Sequence, residues 1–292
     1  MLRITRPTSG CLVVPLVHAG LVCRNEQTAA CRSGREVTIW TRDRILVQSA
    51  SWVSPWRPPE STYAVVDGYE FYLLGSEATV MACPATIPGT GNEIRGALDA
   101  AARSGAASLQ ITVGRDYPGG DVVFDELATM SAVTVGVADI LAVDLSNSTA
   151  EIVPAPPDVE VVEVENFEQV AAFERTSALG WGYSPPSDAS IRSAYQAITP
   201  GSFLASCAGV PAGTGGFTLA EPVARLWGGA VIPTMRGRGV YRGLVASRLS
   251  AAAARGATLA LVHAEPTSSP VLQRLGFRKY GERRTFRVDL ES

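Results

Sequence analysis

A chain of 292 residues is long enough for about two domains, each able to bury a core of its own. Hydrophobic residues at 46% and charged residues at 18% exclude a disordered or supercharged chain. Lys and Arg total 25 against 28 Asp and Glu, a formal charge of −3, so there is no general basic field for nucleic acid and any phosphate site must be local.

The chain begins with Arg3 and Arg6 ahead of an apolar stretch at 11–23, and Val17-His18-Ala19 weakly mimics a cleavage site. Pro15 and His18 interrupt that stretch, which is too short and broken for a signal core or a membrane span, so residues 1–35 read as an N-terminal extension of uncertain order. Cys11, Cys23, Cys31, Cys83 and Cys207 are odd in number and contain no CxxC pair, so a disulfide framework and a zinc site are not expected. His18 and His263 are the only histidines, which argues against a multi-histidine metal centre and leaves little for a Ser-His-Asp hydrolase. The compartment implied is a reducing cytoplasm, with no metal and no membrane.

Residues 36–150 carry a faded version of the pattern in residues 158–292. Ala85-Thr86-Ile87-Pro88 matches Ala230-Val231-Ile232-Pro233, and Arg95-Gly96 matches Arg242-Gly243. The alanine-rich helix, glycine and apolar strand ending at Val113 match the series ending at Val262, and Val143-Asp144-Leu145 matches Val288-Asp289-Leu290. The offset stays between 145 and 150 residues, which points to a degenerate tandem duplication. Residues 146–158, SNSTAEIVPAPPD, resist helix and central strand, which places a linker at 151–157 and a second unit at 158–292.

The second unit opens with a strand through Val164, then a helix with Val170, Phe173 and Leu179 at helical spacing, then a helix over 188–198 capped by Ser187 or Asp188. Three antiparallel strands come next, SFLASCAG, GGFTLA and VARLWGGAVIP, parted by turns at 211–213 and at Glu221-Pro222. An alanine-rich helix with Leu244 and Leu249 on one face ends at Gly256; TLALVH forms a buried strand, 267–275 a short helix, and 277–290 one or two closing strands. The order is βααβββαβαβ, an α/β (α+β) arrangement.

The informative stretch is IPTMRGRGVYRGL at 232–244, where an apolar strand ends in proline and glycines open into a helix. A helix N-terminus leaves amides unpaired and carries partial positive charge, which suits a phosphate. Gly237 and Gly239 permit close approach, and Arg236, Arg238 and Arg242 add a cationic rim. A Rossmann or Walker site does not fit, since neither GxGxxG nor Gly-Lys-Ser/Thr is present and the preceding strands are antiparallel.

Residues 158–292 thus resemble the GNAT superfamily of acyl-CoA-dependent N-acetyltransferases. The resemblance implies a mixed, mostly antiparallel sheet flanked by helices, in tandem with a degenerate first copy. Its phosphate-loop pattern falls on Arg236, Gly239 and Tyr241, where Tyr241 replaces a small residue. It implies that the loop Arg236, Gly237, Arg238, Gly239, Val240, Tyr241 and Arg242 holds the pyrophosphate of coenzyme A. Ala230, Val231 and Ile232 would bind pantetheine, with an amide near Ile232 as oxyanion donor. The motif ending Leu275-Gly276-Phe277 puts Leu272 where relatives carry a tyrosine acid, Ser268 at a small position and Glu265 at an asparagine position. Candidates for the base are Glu221, Glu265 and His263, and Trp181, Tyr183 and Trp227 are candidates for the acceptor pocket.

The expected activity is acetyl transfer from acetyl-CoA to an amine, that of a small molecule, by direct attack. The alternative is a catalytically silent acyl-CoA-binding or interaction module, because leucine has no proton to give. Partners are acetyl-CoA and the acceptor, with a homodimer left open. The first unit's loop, Gly89-Thr90-Gly91-Asn92-Glu93, lacks arginine and carries a carboxylate, so this half is expected to cover the second or to wall the acceptor cleft.

Overall fold

The computed structural model describes residues 39–54, 56–58, 60–83, 92–146 and 155–290. The extension at 1–35, with Cys11, Cys23, Cys31 and His18, lies outside them, as do 85–88, 89–91 and most of the linker.

The first half runs α1 (Arg42–Ala50), β1 (Thr62–Val66), β2 (Tyr69–Leu74), β3 (Glu77–Ala82), α2 (Asn92–Arg103), β4 (Ser108–Gly114), α3 (Gly120–Thr129) and β5 (Val133–Asp144). The second runs β6 (Val159–Glu163), α4 (Phe167–Trp181), α5 (Asp188–Gln196), β7 (Ser202–Cys207), β8 (Val210–Ala220), β9 (Val223–Val231), a single 3-10 turn (Pro233–Met235), α6 (Val240–Ala254), β10 (Leu259–Ala264), α7 (Ser269–Arg274) and β11 (Arg278–Asp289). This is the βααβββαβαβ order read from the residues, and the first half repeats its last eight elements.

Local chemistry accounts for the helix ends. Asn166 and Gln169 form a reciprocal capping box at the start of α4. Ser187 caps α5 by accepting from the Ser190 amide at 3.1 Å. Helix α6 ends in a Schellman turn, with Gly256 at φ +88 and the Ala257 amide donating to Ala252 O at 3.0 Å. Leu179, expected on the buried face of α4, is instead 59% exposed.

The halves do not form separate sheets. All strands among the described residues join one sheet of order β1-β2-β3-β4-β11-β5-β10-β9-β8-β7-β6, in which only β3–β4 and β9–β10 are parallel. The last strand of each half crosses into the other: β11 pairs with β4 and β5, and β5 pairs with β10 and β11. Packing reflects the exchange. Leu141 and Val143 of β5 join Phe217, Leu244 and Leu249 in the core beneath α6. On the opposite face Ile45 and Leu46 of α1 bury against Ile140, Leu259 and Leu261. First-half elements therefore cover the second half's sheet directly. No helix among the described residues is long and apolar enough to cross a membrane.

Candidate active site

The site is an opening in the sheet. Strands β9 and β10 pair in parallel from Val223↔Leu259 to Leu226↔Val262, and there the ladder stops. The cause lies on the other edge of β9, where Gly216 faces Trp227 and Thr214 faces Ala230, a bulge that places Gly228 at φ +63. The diverging strands, the end of α4, the loop before α6 and the segment 265–272 enclose a cleft of about 730 Å³.

At its mouth, Gly237 and Gly239 take the left-handed φ of +78 and +79 that favours glycine, and Gly239 begins α6 with no side-chain cap. The first amides of a fifteen-residue helix are thus open to a ligand. Arg242 stands in the first turn with its Nε buried and without a partner, and Arg236 Nε donates to Val231 O at 3.2 Å. Ala230, Val231, Arg236, Gly237, Gly239, Val240, Tyr241 and Arg242 all line the cleft.

Two expected members do not line it. Arg238 turns away to Asp158, at 3.6 Å. Ile232 donates its amide to Ala212 O at 2.9 Å, so it is not an oxyanion donor. In an antiparallel ladder alternate residues face alternate edges, and with Ala230 and Ile232 turned to β8 it is the Val231 N–H that faces the opening.

On the other wall Trp181, Trp227, His263 and Glu265 line the cleft, whereas Glu221 and Tyr183 do not. Glu221 sits in the β8–β9 turn, at the end of β9 where the sheet is closed, and this removes it as a base candidate. Tyr183 stacks on Trp56 of the first half, ring centres 6.5 Å apart.

His263 is held across the seam between the halves. Its ring stacks on Trp52 at 4.4 Å. Arg283 approaches Nδ1 at 2.6 Å, and since a guanidinium can only donate, Nδ1 is the acceptor and Nε2 carries the proton toward Ser49 Oγ at 2.8 Å. Ser49 in turn bonds the Tyr117 hydroxyl at 2.7 Å. Burial, with the charges of Arg283 and Arg225, holds the imidazole well below its usual 6.5, so it is neutral at neutral pH. Its lone pair is already taken, which makes His263 a poor base.

The floor holds a residue that sequence reasoning passed over, Arg248, which is 2% exposed. Tyr241, expected with the rest of the loop at the pyrophosphate and noted there as a departure from the pattern, sends its ring inward beside Arg248. Leu272, also on the floor, is 1% exposed. Arg248 had left one signal, a charge in the stripe Leu244, Arg248, Ala252, all buried on one face of α6.

No family model matches the chain, and no curated protein does. Among solved structures it is similar to a GCN5-related N-acetyltransferase from Kribbella flavida, at 18% identity and TM-score 0.59 over 87% of this chain and 98% of that one. A tandem GNAT protein from the clavulanic acid biosynthesis pathway aligns at 16% identity and TM-score 0.61, over 86% of this chain and 94% of that one. The fold is that of the GCN5-related N-acetyltransferases. A third such protein, from Sphaerobacter thermophilus, aligns at 13% identity and TM-score 0.57 over 77% of each chain. In the GNAT fold of this chain the opening between β9 and β10 is lined by second-half residues, one of which, His263, stacks on Trp52 of the first half.

Proposed function

We propose that this protein binds acetyl-CoA in the β9–β10 cleft and transfers the acetyl group to an amine by direct attack. The observation that carries the reading is the buried, unpartnered Nε of Arg242 beside the uncapped start of α6, at the mouth of a cleft running between two splayed strands. Those groups fit a pyrophosphate, and the edge of β9 fits the amide-bearing pantetheine arm. Acetyl-CoA would supply the activated acetyl group; the chain's own residues bind, orient and move protons.

The Val231 N–H is placed to donate to the carbonyl oxygen as it gains charge. The attacking amine must be neutral, and Glu265, exposed at the rim, is the one carboxylate among the cleft-lining residues that can take its proton. Trp181 and Trp227 offer apolar walls to an acceptor entering from the side covered by the first half. In this reading 158–292 acts, while the first half shapes the acceptor wall and binds no coenzyme A of its own. A silent acyl-CoA-binding module is the second reading, favoured by the buried, protonless Leu272.

Calorimetric titration with coenzyme A should give one site per chain. Gly239→Glu, which sets bulk against Pro156 and negative charge at the anion site, should abolish it. Arg242→Gln, which leaves the backbone alone, should weaken it about 10-fold. Two equal sites, or unchanged affinity in both variants, would refute the placement. An amine panel with acetyl-CoA, followed by thiol release, separates enzyme from module: tight binding without release for any amine or peptide selects the module.

A further inference from the structure

The cleft floor contains an ionisable pair to which the acetyl transfer proposed above gives no task. The Arg248 guanidinium is buried without a carboxylate among its partners. Its Nε donates to Leu244 O at 3.1 Å, and one terminal nitrogen donates to Trp227 O at 3.3 Å and Gly216 O at 3.4 Å. Removing a cation from water without a counter-charge is costly, so its retention calls for a reason. Glycines make the room: a Cβ on Gly215 would lie 3.0 Å from an Arg248 nitrogen, and one on Gly229 would lie 3.0 Å from the Tyr241 ring.

The Tyr241 phenol enters this space from the first turn of α6 beside Arg248: Oη and an Arg248 nitrogen lie 3.5 and 3.4 Å from the point where a Cβ on Gly229 would sit. Arg248 can only donate, so Oη is an acceptor there and keeps its own proton to give. Ser268 Oγ, on the same wall, donates its proton to the Glu265 backbone carbonyl at 3.2 Å. Burial pushes the phenol up, so it is protonated at neutral pH, while Arg248 pulls the other way by favouring phenolate. The other charged or titratable groups in the cleft wall are Arg236, Arg242, His263 and Glu265. Leu272 offers no proton, and His263 donates its own to Ser49, away from Tyr241.

We infer that Tyr241 is the catalytic acid that protonates the departing sulfur, and that Arg248 is a positioning residue which orients the phenol and holds the charge left on its oxygen. This rests on the acetyl-CoA reading above. As the C–S bond breaks its electron pair goes to sulfur, which takes the Oη proton and leaves as a thiol. The phenolate is stabilised by Arg248 and regains a proton from solvent in the open cleft once the thiol has left. The proton the amine nitrogen gives up on becoming an amide goes to Glu265 and from there to solvent, so the protons balance. The two departures from the GNAT pattern, tyrosine at 241 and leucine at 272, then become one: the acid sits on α6 instead of α7.

The test uses the full chain and Tyr241→Phe, which keeps the ring. In the complex with coenzyme A, thiolate absorbance should show the wild-type thiol titrating below its free value of about 8.5, and the variant should return it toward that value. With acetyl-CoA the variant should lose about 100-fold in kcat with KM changed less than about 2-fold. The loss should shrink with the acetyl thioester of an aromatic thiol, whose sulfur needs no proton. Arg248→Met should show the same leaving-group dependence, whereas a merely structural Arg248 would slow every thioester alike. If coenzyme A does not bind the wild type, the reading of the site itself fails. If it binds with an unshifted thiol, or if Tyr241→Phe transfers as fast as wild type, the assignment of Tyr241 alone is overturned.

Discussion

The sheet contains two parallel pairs, one in each half, and they have been filled in opposite ways. Strands β3 and β4 pair only from Glu77↔Ser108 to Thr79↔Gln110, and β9 and β10 only from Val223↔Leu259 to Leu226↔Val262. Each first strand leads toward a helix, α2 or α6. With Arg95-Gly96 set against Arg242-Gly243, Tyr241 falls on Ile94 and Arg248 on Ala101, and both first-half residues are buried. Ile94 packs among Ile111, Val123, Leu127 and Phe286, so hydrocarbon occupies the region where the second half keeps a phenol, a guanidinium and open space. The same element order thus serves once as core and once as cleft, and what accompanies the change is the bulge in β9, the glycines of β8 and β9 and a few side chains at the start and middle of one helix.

The sharpest way to break this comparison is to separate its terms. If the halves were independent copies, residues 151–292 would fold alone; the exchanged strands say otherwise. Without β5 the second half loses both ladder partners between β10 and β11, together with the fully buried Ile140 and Leu141, each contributing about 1.5–3 kcal/mol of apolar burial. Against a total of about 5–15 kcal/mol for a typical domain, that loss leaves no cooperative unfolding transition by circular dichroism or calorimetry. A sharp transition in the isolated half would end the description of interleaved units.

A smaller effect sharpens the seam. Because His263 is held neutral well below 6.5 in the folded state and protonates near 6.5 when unfolded, the unfolded chain binds more protons below that pH. The stabilisation is present above pH ~6.5 and is lost as pH falls, by up to about 1.36 kcal/mol per pH unit. Urea midpoints should fall between pH 7 and 5, and His263→Gln, which can keep both hydrogen bonds, should flatten that part of the slope. Smallest of all is the partly exposed pair Glu163–Arg255, at 2.6 Å on the rim of the second half. Arg255→Ala should cost under about 1 kcal/mol, a shift of a few degrees at most in thermal midpoint.

The second half's element order was legible because each element carries its own local cue: apolar period, capping residues, turn glycines. Strand exchange was not, since no local pattern says that β11 lies between β4 and β5. The same distance hid the His263 partners, with Ser49 standing 214 positions away. Glu221 was misread because a carboxylate beside a strand carries no mark of which end of that strand opens. Tyr241 was visible as an oddity, but its task depends on Arg248, which is two turns further along α6, and on glycines from β8 and β9.

One feature of the sheet also governs how the protein comes into being. The inner edge of β4 has no partner until β11 exists, because Ser108 pairs with Asp289 and Gly114 with Arg283. At a synthesis rate of about 5–20 residues per second, that edge waits on the order of 10–35 s with its amides and carbonyls unpaired. A nascent first half is therefore a sticky intermediate by construction, and a ribosome that pauses within the second half lengthens its exposure. Yield in the cell should then follow chaperone supply and elongation speed more closely than it follows the stability of the finished molecule.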